Sequence, residues 1–110
     1  MSPGSIVVLH LAQPSEKYWG LLESIAPFGV TIRGIHLSSF DDWVHAVTHD
    51  NEELSMGLTT VFFPLHRVER MFLDEPVGQV ESLSQSFERC VGKSVSEFLG
   101  LEPAPEEPAN

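Results

Sequence analysis

Short apolar runs recur along the chain as far as Leu73, and their spacing is that of strands. Ile6, Val7, Val8, Leu9, His10 and Leu11 form the first, and further blocks rich in β-branched and aromatic residues fall at 18–25, 29–37, 58–64 and 68–73. A polar, proline-bearing segment, 12–17, joins the first two, and Ala26, Pro27, Phe28 and Gly29 join the second to the third. Pro27 holds its own backbone and Gly29 is free to turn, so both connections are of hairpin type and make their strands antiparallel. Five such strands are enough to curl into a small barrel. Pro64 lacks a backbone donor, which bends the fourth strand or places it at a sheet edge. In the fifth, Val68, Arg70 and Phe72 alternate with Glu69, Met71 and Leu73, a two-sided pattern suited to a second contact.

Between the third and fourth strands the period changes from two to 3.6. Phe40, Trp43, Val44 and Val47 fall on one stripe, so a short amphipathic helix is predicted over 39–49. Ser39 with Asp42 resembles a capping box, and Asp41 and Asp42 put negative charge where the helix dipole favours it. The segment 50–57 reads as a polar loop. Leu83, Phe87, Cys90 and Val91 predict a second helix over 81–91 that Gly92 can end, and Ser94 with Glu97 opens a short helical turn carrying Val95, Phe98 and Leu99.

Composition narrows what such a fold can do. At 110 residues and 42% hydrophobic content the chain is predicted to form one domain over 1–100, with one core. Three prolines and three glutamates in 101–110 predict a disordered acidic tail. Cys90 is the only cysteine, which excludes an internal disulfide and a cysteine-rich zinc site and suggests a reducing compartment. No apolar run reaches the roughly 18 residues of a membrane helix, and the start lacks the features of a signal peptide, so a cytoplasmic protein with no membrane partner is expected. The formal net charge is −10, against the cationic surface that nucleic-acid binding requires.

Gly20, Leu21, Leu22, Glu23, Ser24, Ile25, Ala26, Pro27 and Phe28 resemble the second strand and following turn of the Sm-like small-barrel family. The nearest pattern is that of its bacterial RNA-chaperone branch, Hfq, which reads roughly G-x-I-E-S-F-D-x-F. Val61, Phe62, Phe63, Pro64, Leu65, His66, Arg67 and Val68 are similar to that family's fourth strand, short turn and fifth strand. The likeness runs from Ile6 to Leu73 and rests on hydrophobic pattern. It implies a five-stranded Sm-like or SH3-like antiparallel barrel; with the helix after strand three and the C-terminal helical segment read from the period, the expected class is mainly β with α additions. Ring-forming barrels of this kind pair the fourth strand of one subunit with the fifth of the next. Ala26 stands where the family carries an aspartate, and Leu65 where it carries a lysine before the histidine, so polar residues of its RNA-handling surface are replaced.

Two groups of residues carry candidate chemistry. His66, Arg67 and Arg70 concentrate half of the chain's arginines in a short basic strip that can grip an anion or an acidic neighbour, although pairing with Glu23 or another acid of the sheet is the favoured reading. His45 and His49, four apart on the first helix with Asp41 one turn earlier, have the spacing of a metal pair, although nothing specifies a further ligand. Solvation on the face opposite Trp43 is the favoured reading of both histidines. Cys90, on the apolar stripe of the second helix, reads as a small hydrophobe, Ser38 and Ser39 as caps, and Trp19 and Trp43 as core. No catalytic residue and no cofactor follows. The expected function is a non-enzymatic interaction and oligomerisation module, binding itself or another protein. The alternatives are an RNA-binding post-transcriptional regulator and a small metal-dependent or anion-binding protein.

Overall fold

The computed structural model describes residues 1–49 and 57–100; the 50–57 loop, apart from Gly57, and the 101–110 tail lie outside them. Five strands, β1 (Ile6–Leu11), β2 (Glu16–Ala26), β3 (Gly29–His36), β4 (Thr59–Pro64) and β5 (Val68–Leu73), form one antiparallel sheet in the order β4-β3-β2-β1-β5. Helix α1 (Phe40–Thr48) follows β3, and α2 (Leu83–Val91) and α3 (Val95–Phe98) follow the sheet. The predicted class, mainly β with α additions, is therefore the one observed. Among the described residues no ladder joins β4 to β5, so the sheet is open and the barrel a loose one.

Two packed layers use opposite faces of this sheet. On the inner face Val7, Leu9, Leu11, Leu22, Val30, Ile32 and Phe63 form a buried cluster, with Tyr18, Val61, Val68 and Met71 against it. On the outer face the register sets Val8, Trp19 and Ile35 side by side. Phe40 and Trp43 of α1 pack there, their ring centroids 5.0 and 5.4 Å from that of Trp19. Trp19 and Trp43 are both essentially fully buried, and the Trp19 indole Nε1 donates to Asp74 Oδ2 at 2.9 Å, which satisfies the one polar atom of the ring. Gly20 and Gly34 face each other across β2 and β3, and a Cβ on Gly20 would lie 2.6 Å from the Gly34 Cα. No side chain fits between these strands, so the two glycines let the backbones approach.

Several local expectations change. β2 begins at Glu16 because β1 and β2 stay paired to the Leu11–Glu16 rung, which leaves only Ala12, Gln13, Pro14 and Ser15 in the turn. Ser39 does not cap α1. A 3-10 turn, Leu37–Ser39, leads directly into the helix, and with ψ near 0° Ser39 lacks the extended backbone that aims a capping hydroxyl at the first free amides. The full capping box is at Ser82 and Gln85, before α2, where each side chain satisfies the other's backbone amide. Gly92 ends α2 in the left-handed conformation, and Ser94 Oγ accepts from the Glu97 amide at 3.0 Å.

The chain divides into two compact units, one ending at Asp74 and the other beginning at Glu75. Within the second, Phe87 is buried and its ring meets Phe98 at 5.4 Å. Cys90 is exposed rather than part of the apolar stripe, because it falls on the flank of Phe87 away from Val91, in the last turn of the helix.

Candidate interaction surface

The basic strip lies in the 3-10 turn Leu65–Arg67 and the start of β5, and its members part company there. The Leu65 amide donates to the Phe28 carbonyl at 2.9 Å, which anchors the turn on the β2–β3 connection. Arg67 reaches back across the sheet to the first hairpin. Its guanidinium donates to the carbonyls of Ala12 at 3.1 Å and Pro14 at 2.9 Å and pairs with Glu16 at 2.5 Å. Glu16 in turn lies 3.8 Å from His36 Nε2, and the His36 ring packs on Tyr18 at 4.3 Å. Burial, then the negative charge of Glu16, push the Tyr18 hydroxyl above its ordinary pKa. Arg67 thus clasps the β1–β2 turn, and the sheet acid it meets is Glu16 rather than Glu23. Ser15, Glu16, Lys17, His36, Leu37 and Ser38 line a recess of about 430 Å³ beside this cluster. His66 is exposed.

Arg70 has a different environment, and the cause is a bulge. Leu11 pairs with Val68 and His10 with Arg70, so Glu69 is an extra residue opposite the step between them. Val68 and Met71 both turn inward as a result, and Arg70 and Phe72 turn outward, which departs from the simple alternation of the sequence. Arg70 approaches Glu69 at 3.5 Å and both side chains are more than half exposed. Next to it stand His10 and, on the following strand, Lys17. Neither stands out in the sequence, where they are separated from Arg70 and from each other by turns; only the register brings them together.

The two outer strands of the sheet, β4 and β5, have no ladder partner on their free sides among the described residues. Large apolar side chains lie along them. Phe62 on β4 is 48% exposed, with its ring over Gly29 and 6.3 Å from that of Phe28, which is 71% exposed; Leu65 is half exposed at the end of the same strand. Phe72 and Leu73 are exposed on β5.

Asp41, His45 and His49 lie on the solvent side of α1 and its C-terminal cap, all three exposed. The two imidazoles stand 4.1 Å apart, and His49 Nδ1 is 2.9 Å from the His45 carbonyl, a contact in which that nitrogen is the donor. Among the described residues no three His, Cys, Asp or Glu side chains gather closely enough to hold a metal ion. Ser82 and Ser94 serve as caps, and Trp19 and Trp43 belong to the core.

Comparison with protein-family models, curated proteins and solved structures found no match. No helix among the described residues is long and apolar enough to cross a membrane.

Proposed function

We propose that the chain is a non-enzymatic interaction module of the Sm-like barrel type, which self-associates by laying β4 of one copy against β5 of the next. The observation that supports this reading most is the strand order, which leaves those two strands at opposite ends of an open sheet with exposed Phe62, Phe72 and Leu73 on them. An unpaired edge with apolar side chains is a template for another strand. The two edges differ from each other, so the contact is heterologous and closes into a ring if the rotation allows. The resemblance to Sm-like barrels implies the same pair of strands.

Light scattering over a range of concentrations tests it. A molar mass at a multiple of the 12.2 kDa chain is expected, falling when Phe62→Lys and Phe72→Lys are combined while the unfolding free energy from urea titration stays within about 1 kcal/mol of the parent. A monomer at every concentration would overturn the reading. RNA regulation finds less support: with a formal charge of −10, and Ala26 and Leu65 in place of polar residues, binding to single-stranded RNA is expected no tighter than about 10⁻⁴–10⁻⁶ M at physiological salt.

A further inference from the structure

Lys17, His10 and Arg70 form a single row across β2, β1 and β5, each directly opposite the next in the register. On a chain with ten more acids than lysines and arginines, this is an unexpected place to find two cations and an imidazole side by side. Like charges directly opposite one another destabilise a sheet. The cost is visible at His10: burial first, then Lys17, then Arg70 hold its imidazole below the ordinary histidine pKa, with Glu69 opposing them. The row also depends on the bulge at Glu69. In a regular strand Arg70 would share the inward face of Val68, and the extra residue is what turns it out to join His10. Bulges that re-aim a side chain, and local electrostatic conflict, both concentrate at functional sites.

We infer that the outer-face row of Lys17, His10 and Arg70, with Phe72 beside it, is a docking site for an acidic peptide segment of a partner protein. Lys17 is exposed, and the Arg70 side chain is 61% exposed with its guanidinium held only by a surface contact to Glu69 at 3.5 Å, so a ligand can reach both heads. Phe72 packs its ring edge to face with His10, centroids 5.1 Å apart, and is 42% exposed, which adds an apolar seat at one end. Three neighbouring strands set the row about 10 Å long, and an extended peptide presents alternate side chains about 7 Å apart, so two carboxylates span it. A lone inorganic anion reaches only part of that length. A nucleic acid would bring many more phosphates to a body whose net charge repels them. The row lies on the face of the sheet and not on its ladder edge, so this inference does not rest on β4–β5 pairing.

The test is NMR on the full chain, following the His10 imidazole and the amides of Lys17 and Arg70 while an acetylated hexapeptide of alternating glutamate and alanine is added. Saturable shifts confined to this row, weakening with salt, are expected, together with a loss of affinity of about tenfold for Lys17→Glu combined with Arg70→Glu. Both substituted side chains are on the surface, and an unchanged urea midpoint confirms that the variant is folded. Four results overturn the inference: no shift at millimolar peptide; equal shifts with glutamine in place of glutamate; tighter binding of inorganic phosphate or oligothymidylate; or a lower molar mass in the charge-reversed variant, which would make another copy of the chain the occupant. Molar mass tests self-association separately, so failure of one reading leaves the other standing.

Discussion

The two faces of the sheet are built on different terms. The inner face is aliphatic along most of its area; its buried members come from β1 to β4, and β5 adds the partly buried Val68 and Met71. The outer face is divided. One part, Val8, Trp19, Leu21 and Ile35, is buried, with Phe40 and Trp43 of α1 packed on Trp19, and another carries Lys17, His10, Arg70 and Phe72 in contact with solvent. A face that only has to exclude water needs nothing more than alternation at the right register. A face that is half covered and half open must also place a helix and decide which charges stay out, and this second face is where the exposed chemistry of the first compact unit gathers.

If that division is correct, the largest effect should come from removing the ring that fixes α1 to the outer face. Trp43→Ala is expected to cost about 3–5 kcal/mol, since the ring is essentially fully buried between Trp19 and Phe40. Leu9→Ala, on the inner face, is expected to cost about 2–5 kcal/mol by the same mechanism. Urea titrations of the two variants distinguish their consequences: Trp43→Ala should lose the tertiary signal of Trp19 while Leu9→Ala keeps it until global unfolding. An unchanged midpoint for Trp43→Ala would mean that the outer face is not a core.

A smaller loss is expected at Arg67. Its guanidinium holds two turn carbonyls and Glu16 while largely covered, so Arg67→Met should cost about 2 kcal/mol and loosen the Ala12–Ser15 turn, seen as faster amide exchange there. Arg70→Met should change stability by no more than about 0.5 kcal/mol, because its contact with Glu69 is a surface pair. Equal costs for the two arginines would erase the distinction between a clasp and an open cation.

That distinction also marks how far the residues alone carry. The alternating runs and the stripe Phe40, Trp43, Val44 located all five strands and α1, because burial on one face leaves a period in the chain. Arg67 and Arg70 look alike in the sequence, and what separates them is distant. Glu16 lies within the predicted first turn, and only the longer β2 brings it to Arg67. The bulge at Glu69 has no glycine or proline to announce it, so the turn of Arg70 toward His10 and Lys17 leaves no local trace. Cys90 shows the complementary failure. It satisfies the helical period of α2 yet sits at the margin of a stripe whose only buried member in that helix is Phe87. Periodicity identifies a face, but the width of what covers it decides which of its residues are inside.

The smallest expected effect is on pH dependence, and it reports directly on the open part of the outer face. His10 is held below its ordinary value of 6.5 by burial, Lys17 and Arg70, so the folded chain binds a proton there less readily than the unfolded one. Above pH 6.5 both states carry a neutral imidazole and His10 contributes its full share of stability. As pH falls below 6.5 the unfolded chain takes up the proton first, stability declines, and the loss is complete once the pH has passed below the folded-state value. His10→Gln should therefore flatten part of the decline seen between pH 7 and pH 5, and Lys17→Met combined with Arg70→Met should flatten a smaller part, because burial is the larger cause. Urea midpoints of the three chains at stepped pH provide the comparison. A steeper decline in the Lys17 and Arg70 variant than in the parent would show that these cations do not face His10, and would remove the electrostatic conflict from which the row takes its meaning.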